Sequence, residues 1–123
     1  MIVPTYNEKD NLDELVSRIF ESCQKAGIEA ELVVVDDNSP DGTGVHAEEL
    51  SRAHRIKVVH RAGKLGLSSA VLEGFSASSG SILVVMDADL SHPPEKIPEM
   101  VAKIESRQAD VVVGSRYVKG GSV

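Results

Sequence analysis

Asp87 and Asp89 stand one residue apart behind an apolar run, and at the end of an extended segment both carboxylates can turn toward one point. Two such charges about 4 to 5 Å apart repel by roughly 3 to 4 kcal/mol at an effective dielectric near 20. A divalent cation removes that penalty. Hard oxygen donors favour Mg2+ or Mn2+, ions that take one or two protein carboxylates and complete their shell with water and phosphate oxygens. Ser91 would add a hydroxyl. Asp87, Asp89 and Ser91 are therefore candidate metal ligands, while Asp-x-Asp also suits capping of the next turn. The pair alone leaves both readings open.

A second acidic pair, Asp36-Asp37, follows the apolar run Leu32 to Val35. A carboxylate there can accept hydrogen bonds from a nucleobase or ribose, and that role is assigned to Asp37 only. Asn38 to Thr43 reads first as a turn leading into a helix cap. Arg116 follows the run Val111 to Val113 directly, placed to pair with a phosphate, whereas Arg107 falls at a helix end in solvent. Lys64 lies in Arg61-Ala62-Gly63-Lys64-Leu65-Gly66, which lacks the spacing and the Lys-Ser/Thr ending of a Walker A motif. It reads as a strand-to-helix loop carrying a cation. His46, His54, His60 and His92 have no metal-ligand spacing, so surface or packing roles are expected for them.

Positioning these groups requires a scaffold whose strands all end on one rim. Continuous apolar runs at Leu32 to Val35, Ile56 to Val59, Ile82 to Met86 and Val111 to Val113 read as strands covered on both faces, as in parallel sheets, with Met1 to Val3 as a fifth. Leu12, Leu15, Val16, Ile19, Phe20 and Cys23 line one face of a helix that Gly27 stops. Further helices are expected near Thr43 to His54, over Leu67 to Ser79 with Gly80 as its end, and over Pro94 to Arg107, where Pro94 and Pro98 suit only a first turn. The alternation β-α-β-α-β-α-β-α-β is a doubly wound α/β fold with a mostly parallel sheet and helices on both faces. Ligands in such folds bind beyond the carboxyl ends of the strands. The polar clusters Pro4 to Glu8, Asp36 to Ser39, Asp87 to Asp89 and Gly114 to Tyr117 all fall there.

Bulk properties narrow the function class. A length of 123 residues is one domain, and 41% hydrophobic with 26% charged residues is an ordinary globular composition. Residues 1 to 123 are accordingly read as a single domain. The formal net charge of -6 argues against nucleic acid as a partner, since sequence-independent phosphate binding needs clustered Lys and Arg. The sole cysteine, Cys23, falls on the apolar helix face and reads as a buried, inert thiol that fits a reducing compartment. No apolar run approaches the roughly 18 to 20 residues that span a bilayer. The Gly-rich tail Lys119 to Val123 ends without a closing element, which suggests a fragment of a longer catalytic domain.

Five ordered blocks carry a family resemblance over essentially the whole chain: Pro4-Thr5-Tyr6-Asn7-Glu8, Asp36 to Thr43, Lys64-Leu65-Gly66-Leu67, Met86 to Pro94 and Gly114-Ser115-Arg116-Tyr117. Together they resemble the family-2 inverting glycosyltransferases of GT-A fold, and more narrowly the dolichol-phosphate mannose synthases. The resemblance implies that Pro4, Tyr6, Glu8, Val35 and Asp37 hold a guanosine, that Asp87, Ala88 and Asp89 hold the diphosphate and metal, with Asp89 catalytic through that metal, and that Arg116 serves the phosphate region. Ser91 matches a further metal ligand. Ser68-Ser69 departs from the Gly-Thr usual in the synthases. The implied reaction moves mannose from GDP-mannose to dolichyl or another polyprenyl phosphate with inversion, assisted by Mg2+ or Mn2+. The lipid acceptor implies a cytoplasmic protein peripheral to the cytoplasmic face of a membrane, anchored through a missing segment or partner subunit. UDP-glucose or another nucleotide sugar is the alternative donor. From another class, a phospho-accepting receiver domain shares the length, the fold and the placement of Asp36-Asp37 and Asp87, but needs no Pro4 to Glu8 block.

Overall fold

The computed structural model describes residues 1–63 and 66–106. Lys64, Arg107, the run Val111 to Val113, Arg116, Tyr117 and the tail from Lys119 lie outside the described residues.

Three strands, β1 (Ile2–Thr5), β2 (Leu32–Asp36) and β3 (Ile56–His60), form a parallel sheet in the order β1-β2-β3. Helices α1 (Lys9–Lys25), α2 (Thr43–Leu50), α3 (Leu67–Ala77) and α4 (Ile97–Glu105) connect and follow them. Successive strand side chains point to opposite faces, and β1 and β2 are apolar on both. Val3, Leu32 and Val34 face α1, α2 and α4 in one core with Leu12, Leu15, Ile19, Ala47, Ile97 and Val101. Ile2, Val33 and Val35 face α3 through Ala70 in a second. The doubly wound arrangement expected from the sequence is present.

α1 forms because Leu12, Leu15, Val16, Ile19 and Cys23 recur at helical spacing, and all five are buried. Each fully buried aliphatic side chain contributes about 1.5 to 3 kcal/mol relative to exposure, so this stripe fixes the helix on the sheet. The helix stops at Gly27, whose φ of 71° admits the left-handed turn. Ile28 N then donates to Cys23 O at 2.8 Å and Gly27 N to Gln24 O at 3.1 Å, the two bonds of a Schellman ending. Cys23 is 1% exposed and its thiol pKa is raised by that burial, as an inert packing thiol requires.

Two expectations are refined. β3 is covered only in part: Ile56 and Val58 pack on one core and Val59 on the other, while the polar Lys57 and His60 are exposed. The run Ile82 to Met86 lies beside β1, but by a single parallel bridge, Ile2 with Val85. Ile2 N donates to Val84 O at 2.7 Å and Met86 N to Ile2 O at 3.0 Å. Leu83 and Val85, two residues apart on one face of this segment, are exposed among the described residues. Pro94 opens a 3-10 turn, Pro94–Lys96, and Pro98 sits in the first turn of α4, where a missing N–H costs nothing. α2 and α3 end earlier than their periodicity suggests, at Leu50 and Ala77.

Candidate functional site

The chain runs β1, β2, β3 outward and then crosses by α3 to the far side of β1, where residues 84–86 lie. β1 is therefore the point where the winding reverses, and doubly wound folds bind their ligands beyond the carboxyl ends at such a point. Thr5 and Tyr6 end β1, Asp36 and Asp37 end β2, and Asp87 to Asp89 follow the segment on the other side. The topology thus brings Pro4, Tyr6, Glu8, Asp37, Asp87 and Asp89 to one rim. Val35 is fully buried and Ala88 is nearly so, so these two shape the rim from below. Arg116 lies outside the described residues.

Asp36 and Asp37 part company because consecutive strand residues point to opposite faces. Asp36 is 3% exposed and wholly engaged: Thr5 Oγ1 donates to Oδ1 at 2.9 Å, Ser39 Oγ to the same oxygen at 2.6 Å, and Ser39 N to Oδ2 at 3.1 Å. It is an anchor. Asp37 turns to the α3 side and meets Arg61, whose Nε donates to Oδ1 at 2.7 Å and Nη2 to Oδ2 at 3.3 Å.

The segment from Tyr6 to Lys9 is stitched to the turn after β2 by side chains. Asn7 N donates to Ser39 Oγ at 2.9 Å, Glu8 N to Thr43 Oγ1 at 3.0 Å and Lys9 N to Asp41 Oδ2 at 3.2 Å. Thr43 N and its hydroxyl both donate to Asp41 Oδ1, the backbone contact at 2.9 Å. Asp41 thus satisfies backbone donors at the starts of both α1 and α2, where helices leave N–H groups unpaired. Partial desolvation of the exposed Asp41 disfavours its charge, but the hydrogen bonds from Thr43 and Lys9 and the charge of Lys9 outweigh it and hold its pKa below the ordinary aspartate value. Ser39 to Thr43 are the turn and cap their sequence suggests. Asn7 and Asn38 each adopt φ 54°, a left-handed conformation Asn tolerates, which lets both loops reverse at the rim. Glu8 Oε2 accepts from Asn11 Nδ2 at 2.8 Å, which orients that carboxylate over the first turn of α1.

Asp89 also takes the turn role: its Oδ1 accepts from Ser91 N at 3.0 Å. Between them Leu90 has φ 64°, a conformation that costs a branched residue roughly 1 to 2 kcal/mol. The turn curls Ser91 inward, and Ser91 Oγ is buried without a hydrogen-bond partner among the described residues. A buried hydroxyl left so costs about 1 to 3 kcal/mol. Two carboxylates and an unsatisfied hydroxyl are the hard donor set of a divalent ion that keeps open positions for phosphate oxygens. No cluster of three His, Cys, Asp or Glu residues suited to a metal occurs among the described residues, so any such site depends on that mixed set. Three of the four histidines pack or pair: His54 stacks on Phe20 at 5.0 Å, His46 contacts Asp13 at 3.0 Å and His60 contacts Glu48 at 2.9 Å.

A cavity of about 440 Å³ lies at the opposite, amino ends of the strands, lined among others by Met1, Glu31, Ser79, Ile82 and Val101. Glu31 there is taken up by Ser79, which donates through N at 3.2 Å and Oγ at 3.1 Å. Sequence reasoning missed Arg61, whose only signal is a charged residue directly after the end of a strand. No helix among the described residues is long and apolar enough to cross a membrane.

A parallel, doubly wound sheet with acidic residues at the carboxyl ends on both sides of its switch point has the form of a ligand-binding α/β domain. The chain belongs to glycosyl transferase family 2, which it matches over residues 1–123. That membership excludes the receiver-domain alternative. It is 54% identical over 123 residues to a dolichol-phosphate mannosyltransferase of Pyrococcus furiosus, and 45% identical over 128 residues to a polyprenol monophosphomannose synthase of Mycolicibacterium smegmatis. Both alignments take in 100% of this chain, which spans 34% and 46% of those relatives' lengths. Among solved structures it resembles the mannosyltransferase PcManGT of Pyrobaculum calidifontis in complex with GDP-Man and Mn2+, with TM-score 0.73, 29% identity, and 84% of this chain and 31% of that chain covered. It also resembles S. aureus TarS 1-349 in complex with UDP-GlcNAc, with TM-score 0.77, 26% identity, and 99% and 35% covered. The fold is accordingly that of the GT-A glycosyltransferases.

Proposed function

We propose that this chain is the donor-binding part of an enzyme that transfers mannose from GDP-mannose to dolichyl or another polyprenyl phosphate with inversion. The observation that carries this reading is the placement of Asp37 and the Asp87-Asp89 pair on either side of β1 at the carboxyl rim. The names of the two relatives and the ligands of the PcManGT structure support it. In this reading Pro4, Tyr6, Glu8 and Asp37 hold the guanosine, with Val35 forming the floor. Asp87, Ala88 and Asp89 receive the diphosphate, Arg116 pairs with the phosphates, and Asp87, Asp89 and Ser91 hold Mg2+ or Mn2+.

The nucleophile is an oxygen of the lipid phosphate, already anionic near neutral pH, so no strong general base is required. It attacks the sugar's anomeric carbon from the face opposite the diphosphate, and the breaking bond's electron pair leaves with GDP. The residues' task is to hold donor and acceptor in line and to place cationic and hydrogen-bonding groups at the departing diphosphate. A bound divalent ion supplies Lewis-acid stabilisation of that leaving group. We place the protein at the cytoplasmic face of a membrane, held there by a further segment or a partner subunit.

Labelled GDP-mannose and a polyprenyl phosphate given to the full-length parent should yield lipid-linked mannose, and Asp89→Ala should abolish it. Absence of turnover by the parent refutes the enzyme reading. The likeness to the UDP-GlcNAc complex keeps a uridine donor as the second reading. Calorimetry with Mn2+ decides between them, because tighter binding of UDP than of GDP refutes the guanosine assignment.

A further inference from the structure

Arg61 is a cation whose charge is nearly sealed from water, its side chain only 1% exposed. Its guanidinium donates from Nε to Asp37 Oδ1 at 2.7 Å and from Nη2 to Asp37 Oδ2 at 3.3 Å. Nη2 also donates to Gly66 O at 3.2 Å, and Nη1 to Ser69 Oγ at 2.9 Å, with Glu73 Oε1 3.8 Å from Nη1. Ser69 Oγ in turn donates to Gly66 O at 3.1 Å. One planar fork therefore joins the end of β2 to the first turn of α3. Its own backbone is tied in as well, Arg61 N donating to Asp36 O at 2.8 Å.

A buried charge is tolerated only while paired, so Asp37 cannot swing away without stranding Arg61. The bidentate geometry also fixes the plane of the carboxylate, which a single point charge would not. Asp37 is 14% exposed, and an ionised carboxylate has about four lone-pair sites, so acceptor capacity remains beyond what the fork uses.

We propose that Arg61 is the positioning residue through which Asp37 selects the nucleobase. This rests on the reading of Asp37 as a base contact. Arg61 holds the carboxylate in one orientation before the nucleotide arrives, so that the base edge meets a fixed acceptor. Loss of the fork leaves the diphosphate contacts intact and blurs the choice of base.

The test is titration of GDP and of UDP, each with Mn2+, into the wild-type protein and into Arg61→Gln, Arg61→Lys and Ser69→Ala. Arg61→Gln should lower the ratio of GDP to UDP affinity by roughly tenfold, the scale of a lost hydrogen bond to a charged group. Arg61→Lys should recover little of it, because the charge returns without the fork. Ser69→Ala removes one anchor and should fold normally, with a shift of the ratio by about two- to threefold, so the proposal stays testable if Arg61→Gln does not fold. An equal loss of GDP and UDP affinity in these variants means a merely structural role and overturns the proposal. A wild-type protein that binds neither nucleotide refutes the donor reading itself and this role with it.

Discussion

Asp37 and Arg61 close the ends of β2 and β3 as a bidentate pair, with 2.7 Å between Nε and Oδ1 and the guanidinium almost wholly out of water. Such a pair adds little net stability over apolar residues of the same volume, because desolvation offsets the attraction. Removing one partner is different, since it leaves the other charged and buried. Asp37→Ala is therefore expected to lower the unfolding free energy by about 3 kcal/mol, and the paired replacement Asp37→Leu with Arg61→Met to recover most of it. Urea denaturation of single and double variants measures both. Additive losses would mean that the two charges are not energetically coupled, and the expected non-additivity also warns that a binding defect in Asp37→Ala needs a folding control.

Gly74 in α3 packs its backbone directly against β1. A Cβ built there would lie 2.4 Å from Ile2 Cγ2, and Ile2 is fully buried in β1. Helix propensity alone favours Ala over Gly by roughly 0.8 to 1 kcal/mol, whereas overpacking a filled core costs about 1 to 3 kcal/mol. The clash should win. Gly74→Ala is expected to lower the thermal midpoint, and adding Ile2→Ala should cost less than the sum of the two changes. A rise in midpoint for Gly74→Ala would show that α3 can lift off the sheet freely.

These two positions mark what a sequence can and cannot disclose. The stripe Leu12 to Cys23 and the apolar run Leu32 to Val35 of β2 are local patterns, and burial follows from them directly. The rim was legible for the same reason, since each polar cluster follows its own strand. Arg61 was not, because its meaning lies in a partner 24 residues away that only the sheet order brings near. Nor does a run such as Ile56 to Val59 say whether its strand is central or at an edge, since that depends on neighbours elsewhere in the chain. Asp89 was legible as ligand or turn cap, and the structure makes it a cap without removing it from the rim.

Asp41 makes the loops of the rim sensitive to acid. Hydrogen bonds from Thr43 and Lys9 prevail over partial desolvation and keep its pKa below the ordinary aspartate value, about 3.9 in the unfolded chain. A group depressed on folding binds fewer protons in the native state, so its stabilisation is complete above the unfolded value and is lost as pH falls through the folded one. Asp41→Ala should thus cost about 1 kcal/mol at pH 7, the usual scale of a lost cap. The gap between variant and wild type should narrow steadily below about pH 4. Denaturation across pH 2 to 7 reads this directly, and a gap independent of pH would mean that charge plays no part in the cap.

Ser91 separates a binding role from a folding role more cleanly than either aspartate. Its hydroxyl is buried and finds no partner among the described residues, while its backbone N–H already holds the turn on Asp89. Ser91→Ala keeps that backbone bond and removes an unsatisfied polar atom, so the metal-free protein should be no less stable and is expected to gain about 1 kcal/mol. If the hydroxyl is a ligand to the divalent ion, the same change should weaken the enhancement of GDP binding by Mn2+ several-fold, with metal-free GDP binding unchanged. Melting curves with and without Mn2+ and GDP supply both measurements from one set of samples. A destabilised metal-free variant would mean that the hydroxyl packs against something the fold needs, and unaltered Mn2+ enhancement would remove Ser91 from the ligand set and leave the ion to Asp87 and Asp89.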